Sequence, residues 1–256
     1  RAGALARMAA ADSTSPLDVL VIGGGVVGCG SALDAAQRGL SVALVEQHDL
    51  ASGTSSRSSR LAHGGLRYLE QREFSLVHEA LTERGLLLDR LAPHLVRPVP
   101  FLYPVTRRGW ERPYVGFGLT VYDMLSRLGA YGGAMPRPKT LSAKIVKGIA
   151  PGIKSDALVG AVRFHDAQID DARHTVAVAR TAAAHGAAIA TRTSVVRLIS
   201  EDGRVVGAVI RDELSGREFD VRARVVLGAA GVWTDDLLEM AGAASQHAVR
   251  QSKGIH

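Results

Sequence analysis

The sequence is short of several things, and each shortage excludes something. Cysteine occurs once among 256 residues, at Cys29, so no intrachain disulfide can form; a reducing compartment agrees with this without following from it. The expected place of Cys29 is a small side chain packed in a helix. No stretch approaches the roughly 18 uninterrupted apolar residues of a membrane-spanning helix, so any membrane contact is expected to be peripheral. Residues 1–16 lack the apolar run of a secretory signal, and their small, polar character predicts a mobile tail. Aromatic residues make up only 5%. The net charge of +6 raises nucleic acid or an acidic lipid surface as partners. The denser arginine groups, Arg57/Arg60 and Arg107/Arg108/Arg112, lack the interleaved aromatics of a base-stacking surface, so nucleic acid is not expected. Most of this charge reads as solvated surface, and Arg107–Arg112 with Trp110 as a candidate for headgroup depth at a membrane.

What is present is an ordinary globular composition, 46% hydrophobic and 22% charged, enough for one large core or two modest ones. Residues 17–22 (LDVLVI) are a short apolar run ending in glycines. A small-residue helical pattern follows from Val26 to Arg38, then a second apolar run, Ser41–Val45. The expectation is β-α-β with a buried parallel sheet. Apolar residues at helical spacing predict a helix over 74–91, stopped by Pro93. The prolines of LVRPVPFLYPV (95–105) predict extended chain or an edge strand, and 114–128 is again helical. After a basic stretch (129–152) come a strand near Leu158, a helix (Asp171–His185), short strands at 194–200, 204–211 and 217–222 in an antiparallel meander, a separate apolar strand at 225–227, and a helix at 234–240.

The main chemical signal is IGGGVVGCGSA, where Gly23, Gly25 and Gly28 satisfy G-x-G-x-x-G between a strand and a helix. Gly23 permits the tight turn, Gly25 lets a pyrophosphate approach the backbone, and Gly28 lets helix and sheet pack closely. The helix N-terminus, with its free amides and dipole, favours the diphosphate. Glu46, eighteen residues after Gly28, closes the second strand where a carboxylate accepts ribose hydroxyls and repels a 2′-phosphate. The hydroxyl-rich, glycine-containing segment 50–69 (LASGTSSRSSRLAHGGLRYL) then favours FAD over NAD, because hydroxyls can donate to a pyrophosphate and Gly64 and Gly65 let backbone approach a flat ring.

At these residues the chain resembles the FAD-dependent, respiratory glycerol-3-phosphate dehydrogenases, within the wider D-amino acid oxidase-like group. The resemblance rests on DLASGTSSRSSRLAHGGLRYLEQREFSLVHEALTER, HDAQIDDARHTVAVA (165–179), VVLGAAGVWTDDL (225–237) and RQSKGIH (250–256). It implies an α/β fold, a three-layer Rossmann-like FAD domain with part of an antiparallel substrate domain. It implies that Thr54, Ser55, Ser56 and Ser59 lie along pyrophosphate and flavin, that Gly64, Gly65 and Leu66 lie beside the isoalloxazine, and that Val195, Ala230, Gly231 and Trp233 also touch the cofactor. His63 resembles the family histidine near the substrate hydroxyl, where a neutral imidazole takes the proton as hydride leaves C2; the alternative is a histidine that only bonds the flavin. Arg67 resembles the arginine that binds substrate phosphate with paired donors; the alternative is an ion pair with Glu70 or Glu73. Asp170 and Asp171 read as a helix N-cap and first-turn acid. Lys253 and His256 are further candidates to approach the flavin.

The resemblance further implies oxidation of sn-glycerol 3-phosphate to dihydroxyacetone phosphate with quinone as acceptor. It suggests a cytoplasmic protein with room for a peripheral contact on the inner face of the cytoplasmic membrane, and leaves a homo-oligomer open. An oxygen-using oxidase of the same substrate, an amine oxidase of the wider group and an inert FAD-binding fragment stay as alternatives. Family members are longer, so the chain reads as an N-terminal half. Its expected parts are a tail (1–16), an FAD domain in two pieces (17–92 and 158–240), the start of a substrate or cap region (93–157), and the start of a second substrate segment (241–256).

Overall fold

The computed structural model describes residues 1–65, 68–69, 71–106, 109–128, 135–154 and 156–242. In chain order its helices and strands are α1 (Ala2–Ala9), β1 (Leu17–Ile22), α2 (Val26–Gln37), β2 (Val42–Glu46), β3 (Leu61–Ala62), α3 (Phe74–Leu86), β4 (Val96–Val105), α4 (Glu111–Leu128), β5 (Lys139–Ser142), α5 (Ala143–Ile149), β6 (Gly160–Ile169), α6 (Asp171–Ala184), β7 (Ala188–Thr191), β8 (Thr193–Glu201), β9 (Arg204–Asp212), β10 (Glu218–Gly228) and α7 (Thr234–Met240). They gather into two compact units, Arg1–Ser59 with the described residues from Asp171 onward, and Arg60–Asp170.

The first unit is α/β, as expected. Its six-stranded sheet has the order β7-β2-β1-β10-β9-β8; the first four strands are parallel and the last two run antiparallel. The central stretches of β1 and β2 (Leu20–Ile22 and Val42–Val45) are continuously apolar and buried because both faces of the sheet are covered there. In β2, Val42 and Leu44 join Cys29, Ala32 and Ala36 of α2 and Ala179 and Ala182 of α6, while Ala43 and Val45 join Met8 on the opposite face. Alanines on α2 and α6 let the two helices approach each other closely.

Two expectations fail in this unit. Residues 1–16 were expected as a mobile tail, yet 2–9 form α1, with Met8 fully buried in the sheet core. The helix is tied down at its start, where the Arg1 guanidinium pairs with Asp212. The signal was there in Ala4, Leu5, Met8 and Ala11, one apolar face at helical spacing. The separate strands expected at 217–222 and 225–227 are one strand, β10. Its first half pairs antiparallel with β9 and its second half parallel with β1. Arg222 and Arg224 interrupt the apolar run without interrupting the backbone, because they pair with Glu201 and Asp18 beside the strand.

The second unit is built on β6, which pairs over its whole length with β4 and also with β3 and β5. The prolines of β4 are tolerated because β4 is an edge strand, as predicted. Val162 packs with Val115 and Leu119 of α4, while Ala167 and Ile169 pack with Ala92 and Val96. The unit boundaries lie at 59/60 and 170/171 rather than at 92/93 and 157/158. Strand pairing is the reason: Leu61 and Ala62 pair with Gln168 and Ala167, so this segment belongs with β4 and β6.

Candidate dinucleotide-binding site

Within the first unit a cavity of about 430 Å³ opens at the carboxyl ends of β1, β2 and β10, the crevice where open α/β sheets take ligands. Its floor is the turn from β1 into α2. Gly23 has φ +117°, a conformation that strains any residue with a Cβ, and a Cβ there would lie 2.4 Å from the Ala229 carbonyl oxygen. A Cβ on Gly28 would lie 1.9 Å from the Gly23 carbonyl oxygen, so α2 and the turn touch backbone to backbone. Gly24, a free position in the fingerprint, is constrained as well: the Glu46 side chain lies across it, 2.9 Å from where its Cβ would be.

Gly25 is the N-cap of α2 and has no side-chain cap of its own. Ser55, from the 3₁₀ turn Thr54–Ser56, faces this helix end; its hydroxyl accepts the Val26 N–H at 2.9 Å. Glu46 is held by two backbone donors, Gly24 N–H to Oε2 at 2.7 Å and His48 N–H to Oε1 at 2.8 Å. Each carboxylate oxygen keeps a second acceptor site, which is what a ribose hydroxyl needs. On the far wall the Trp233 ring stands against Gly53, where a Cβ would meet it at 3.2 Å. Beneath the turn, Cys29 is buried and its thiol donates to the Gly24 carbonyl at 3.5 Å. Burial, with the Glu46 charge, pushes that thiol up to about 11, so it is an inert packing group. A helix N-terminus capped at its first amide by Ser55, hydroxyls around it and an anchored acid form a donor and acceptor set that fits an FAD diphosphate and ribose.

Of the residues expected along the cofactor, Gly23, Gly25, Glu46, Thr54, Ser55, Val195, Ala230, Gly231 and Trp233 line this cavity, whereas Gly28, Ser56 and Ser59 do not. Gly28 supports the floor from below, and the Ser56 hydroxyl turns back to the Gly53 carbonyl at 3.3 Å. Ser58, not Ser59, reaches the lining, where its hydroxyl bonds the carboxylate of Asp171, the first residue of α6. Sequence reading also missed Gln47, Thr193 and Asp236 in the lining. Gln47 alone had a signal, as the neighbour of the acid.

His63, Gly64 and Gly65 belong to the second unit. The His63 ring is exposed, and its Nδ1 accepts the Gly65 N–H at 2.9 Å. The Gly64 N–H donates to the Tyr122 hydroxyl at 2.8 Å. Gly64 has no room for a side chain: a Cβ would lie 2.4 Å from Leu81 Cδ2. Leu66, Arg67, Glu70, Arg107, Arg108, Lys253 and His256 lie outside the described residues. Among the described residues there is no cluster of metal-ligating side chains, and no helix is long and apolar enough to cross a membrane.

Comparison with known proteins agrees with this geometry. The family model described as FAD dependent oxidoreductase (DAO) matches residues 18–256. Glycerol-3-phosphate dehydrogenase of Mycobacterium leprae is 54% identical over 95% of the chain, and the mitochondrial glycerol-3-phosphate dehydrogenase of Homo sapiens is 41% identical over 98%. The chain spans 41% and 36% of those two relatives. Among solved structures, glycerol-3-phosphate dehydrogenase from Bacillus halodurans complexed with FAD superposes with a TM-score of 0.69 at 30% identity, over 94% of this chain and 38% of that one. With a family match over nearly its whole length and a glycine turn, helix end and acid that suit the same cofactor, the chain belongs to the FAD-dependent oxidoreductases, and its cofactor is FAD.

Proposed function

We propose that the protein carrying this chain oxidises sn-glycerol 3-phosphate to dihydroxyacetone phosphate, with a quinone taking the electrons. The observation that supports this most is the 54% identity, over 95% of the chain, to a glycerol-3-phosphate dehydrogenase. Bound FAD supplies a two-electron acceptor for the C2 hydride. Glu46 would hold the ribose hydroxyls and the α2 N-terminus with Ser55 the diphosphate, leaving the HGG turn to serve the substrate end. There His63 takes the proton of the secondary hydroxyl, and Arg67 offers paired donors to the phosphate.

A peripheral membrane contact belongs to the same proposal, and α4 supports it. Trp110, just before the helix, and Tyr114, Phe117, Met124 and Leu128 are all exposed. Their spacing puts them along one helical stripe, the layout of a helix lying in a membrane interface.

The test is anaerobic reduction of the flavin in the full-length protein by glycerol 3-phosphate, followed by reoxidation with a quinone analogue or with oxygen. His63→Asn is expected to keep FAD and to slow reduction by about 10²–10⁴-fold, the range for removal of a positioned base. Wild-type reduction rates in the variant would remove His63 from the chemistry. Faster reoxidation by oxygen than by the quinone analogue would replace the dehydrogenase with an oxidase, and a flavin that glycerol 3-phosphate never reduces would replace the substrate.

A further inference from the structure

Behind the HGG turn lies a chain of buried polar groups. Arg84 of α3, Tyr122 and Ser126 of α4 and Asp166 of β6 are each 5% exposed or less. The Arg84 guanidinium donates to Asp166 Oδ1 at 2.7 Å and to the Ser126 hydroxyl at 2.8 Å. Asp166 Oδ1 also accepts the Ala167 N–H at 3.1 Å, and Oδ2 accepts the Tyr122 hydroxyl at 2.9 Å. Burial and the Asp166 charge push the Tyr122 phenol above its ordinary value, so it keeps its proton.

The directions of these bonds are forced. A carboxylate paired with an arginine only accepts, so the single phenol proton of Tyr122 goes to Asp166. The phenol oxygen is then left as an acceptor, and the amide it accepts is that of Gly64. One residue on, the Gly65 N–H can only donate, and it donates to His63 Nδ1. Nδ1 therefore carries the lone pair of the neutral ring, and the proton is on Nε2.

We propose that Tyr122 and Asp166 are positioning residues that hold the His63-Gly64-Gly65 turn and thereby fix neutral His63 as the Nε2–H tautomer, leaving Nδ1 as its basic nitrogen. The inference rests on the reading of His63 as a residue of the substrate site. It gives the buried ion pair a role beyond joining α3, α4 and β6. The substrate hydroxyl proton is taken at Nδ1, where it replaces the Gly65 amide as partner, and Nε2–H serves as a donor.

The test uses the full-length, FAD-loaded protein with ¹⁵N-labelled histidine, the His63 signals being those missing from His63→Asn. In the wild type, Nε2 is expected to carry the proton and Nδ1 to be unprotonated at neutral pH. Tyr122→Phe removes the acceptor for Gly64 and should give an averaged, mixed tautomer, with Gly64 and Gly65 amides exchanging about tenfold faster, the change set by loss of about one hydrogen bond. Ser126→Ala removes a member of the network that does not touch the turn. It should lower the melting temperature while leaving the tautomer and both amides unchanged. A wild-type spectrum with the proton on Nδ1 overturns the inference, and it does so even should Tyr122→Phe not fold. Equal effects of Tyr122→Phe and Ser126→Ala on the tautomer also overturn it, reducing the network to general stability. Normal flavin reduction in His63→Asn sinks the substrate-site reading alone, since the tautomer is read without turnover.

Discussion

The two units handle polar chemistry in opposite ways. In the dinucleotide cavity most of the polar partners are backbone: the amides of Gly24 and His48 hold Glu46, and the Val26 amide at the start of α2 donates to Ser55. In the second unit the buried polarity is carried by side chains from three elements, Arg84, Tyr122, Ser126 and Asp166. The first arrangement needs glycines and tolerates few substitutions of shape. The second needs paired charges and tolerates few substitutions of chemistry.

The sharpest way to break this contrast is to remove one charge of the buried pair. Asp166→Ala leaves Arg84 buried without its partner and is expected to destabilise the protein by about 3–5 kcal/mol. The control is Asp123→Ala, which removes an i,i+4 partner of Arg127 on the same helix as Tyr122 and should cost no more than about 0.5 kcal/mol. Chemical denaturation of both variants decides it. Similar losses would mean that burial gives the Asp166 pair no special weight.

In the cavity the equivalent break is one of shape. Gly28→Ala places a methyl 1.9 Å from the Gly23 carbonyl oxygen, where no rotamer can relieve it. We expect a loss of about 3 kcal/mol, the top of the usual range for overpacking, with FAD binding lost alongside it. A stable, FAD-loaded Gly28→Ala protein would show that the turn and α2 can separate freely.

A chemical change in the same cavity should do less. Glu46→Ala removes the acceptor of two amides and of the expected ribose contacts, and FAD affinity should fall by about 1–3 kcal/mol, with Glu46→Asp falling less. Titration of the apoprotein with FAD measures both. Unchanged affinity in the alanine variant would take Glu46 out of the site.

The same contrast explains what the sequence made legible. Gly23, Gly25, Gly28 and Glu46 sit at spacings that one β-α-β unit imposes, so a local pattern located the cavity floor and its acid. Gly24 was missed because its constraint comes from the Glu46 side chain folding back over it, a tertiary contact. Ser58 and Ser59 could not be told apart from composition alone; only the approach of Asp171 selects Ser58. Arg84, Tyr122 and Asp166 had no signature at all, since they meet across 82 residues of sequence and each alone reads as an ordinary surface residue. The α1 helix was overlooked for a different reason: a segment of eight residues is too short to hold a helix without the sheet to pack on.

A small effect of the opposite sign is expected two residues from the largest shape effect. Gly30 is also inside α2, but nothing lies within 4 Å of where its Cβ would be. Glycine in a helix interior costs about 0.5–1 kcal/mol relative to alanine, mainly through the backbone freedom it gives the unfolded chain. Gly30→Ala should therefore stabilise the protein by up to that amount, with FAD affinity unchanged because the residue does not line the cavity. The pair of variants then isolates geometry from propensity: one helix, one substitution type, and a sign set by whether a carbonyl stands 1.9 Å away. Measured melting temperatures that fall for both variants would show that α2 tolerates no added methyl group, and that Gly30 is packed against a partner of its own.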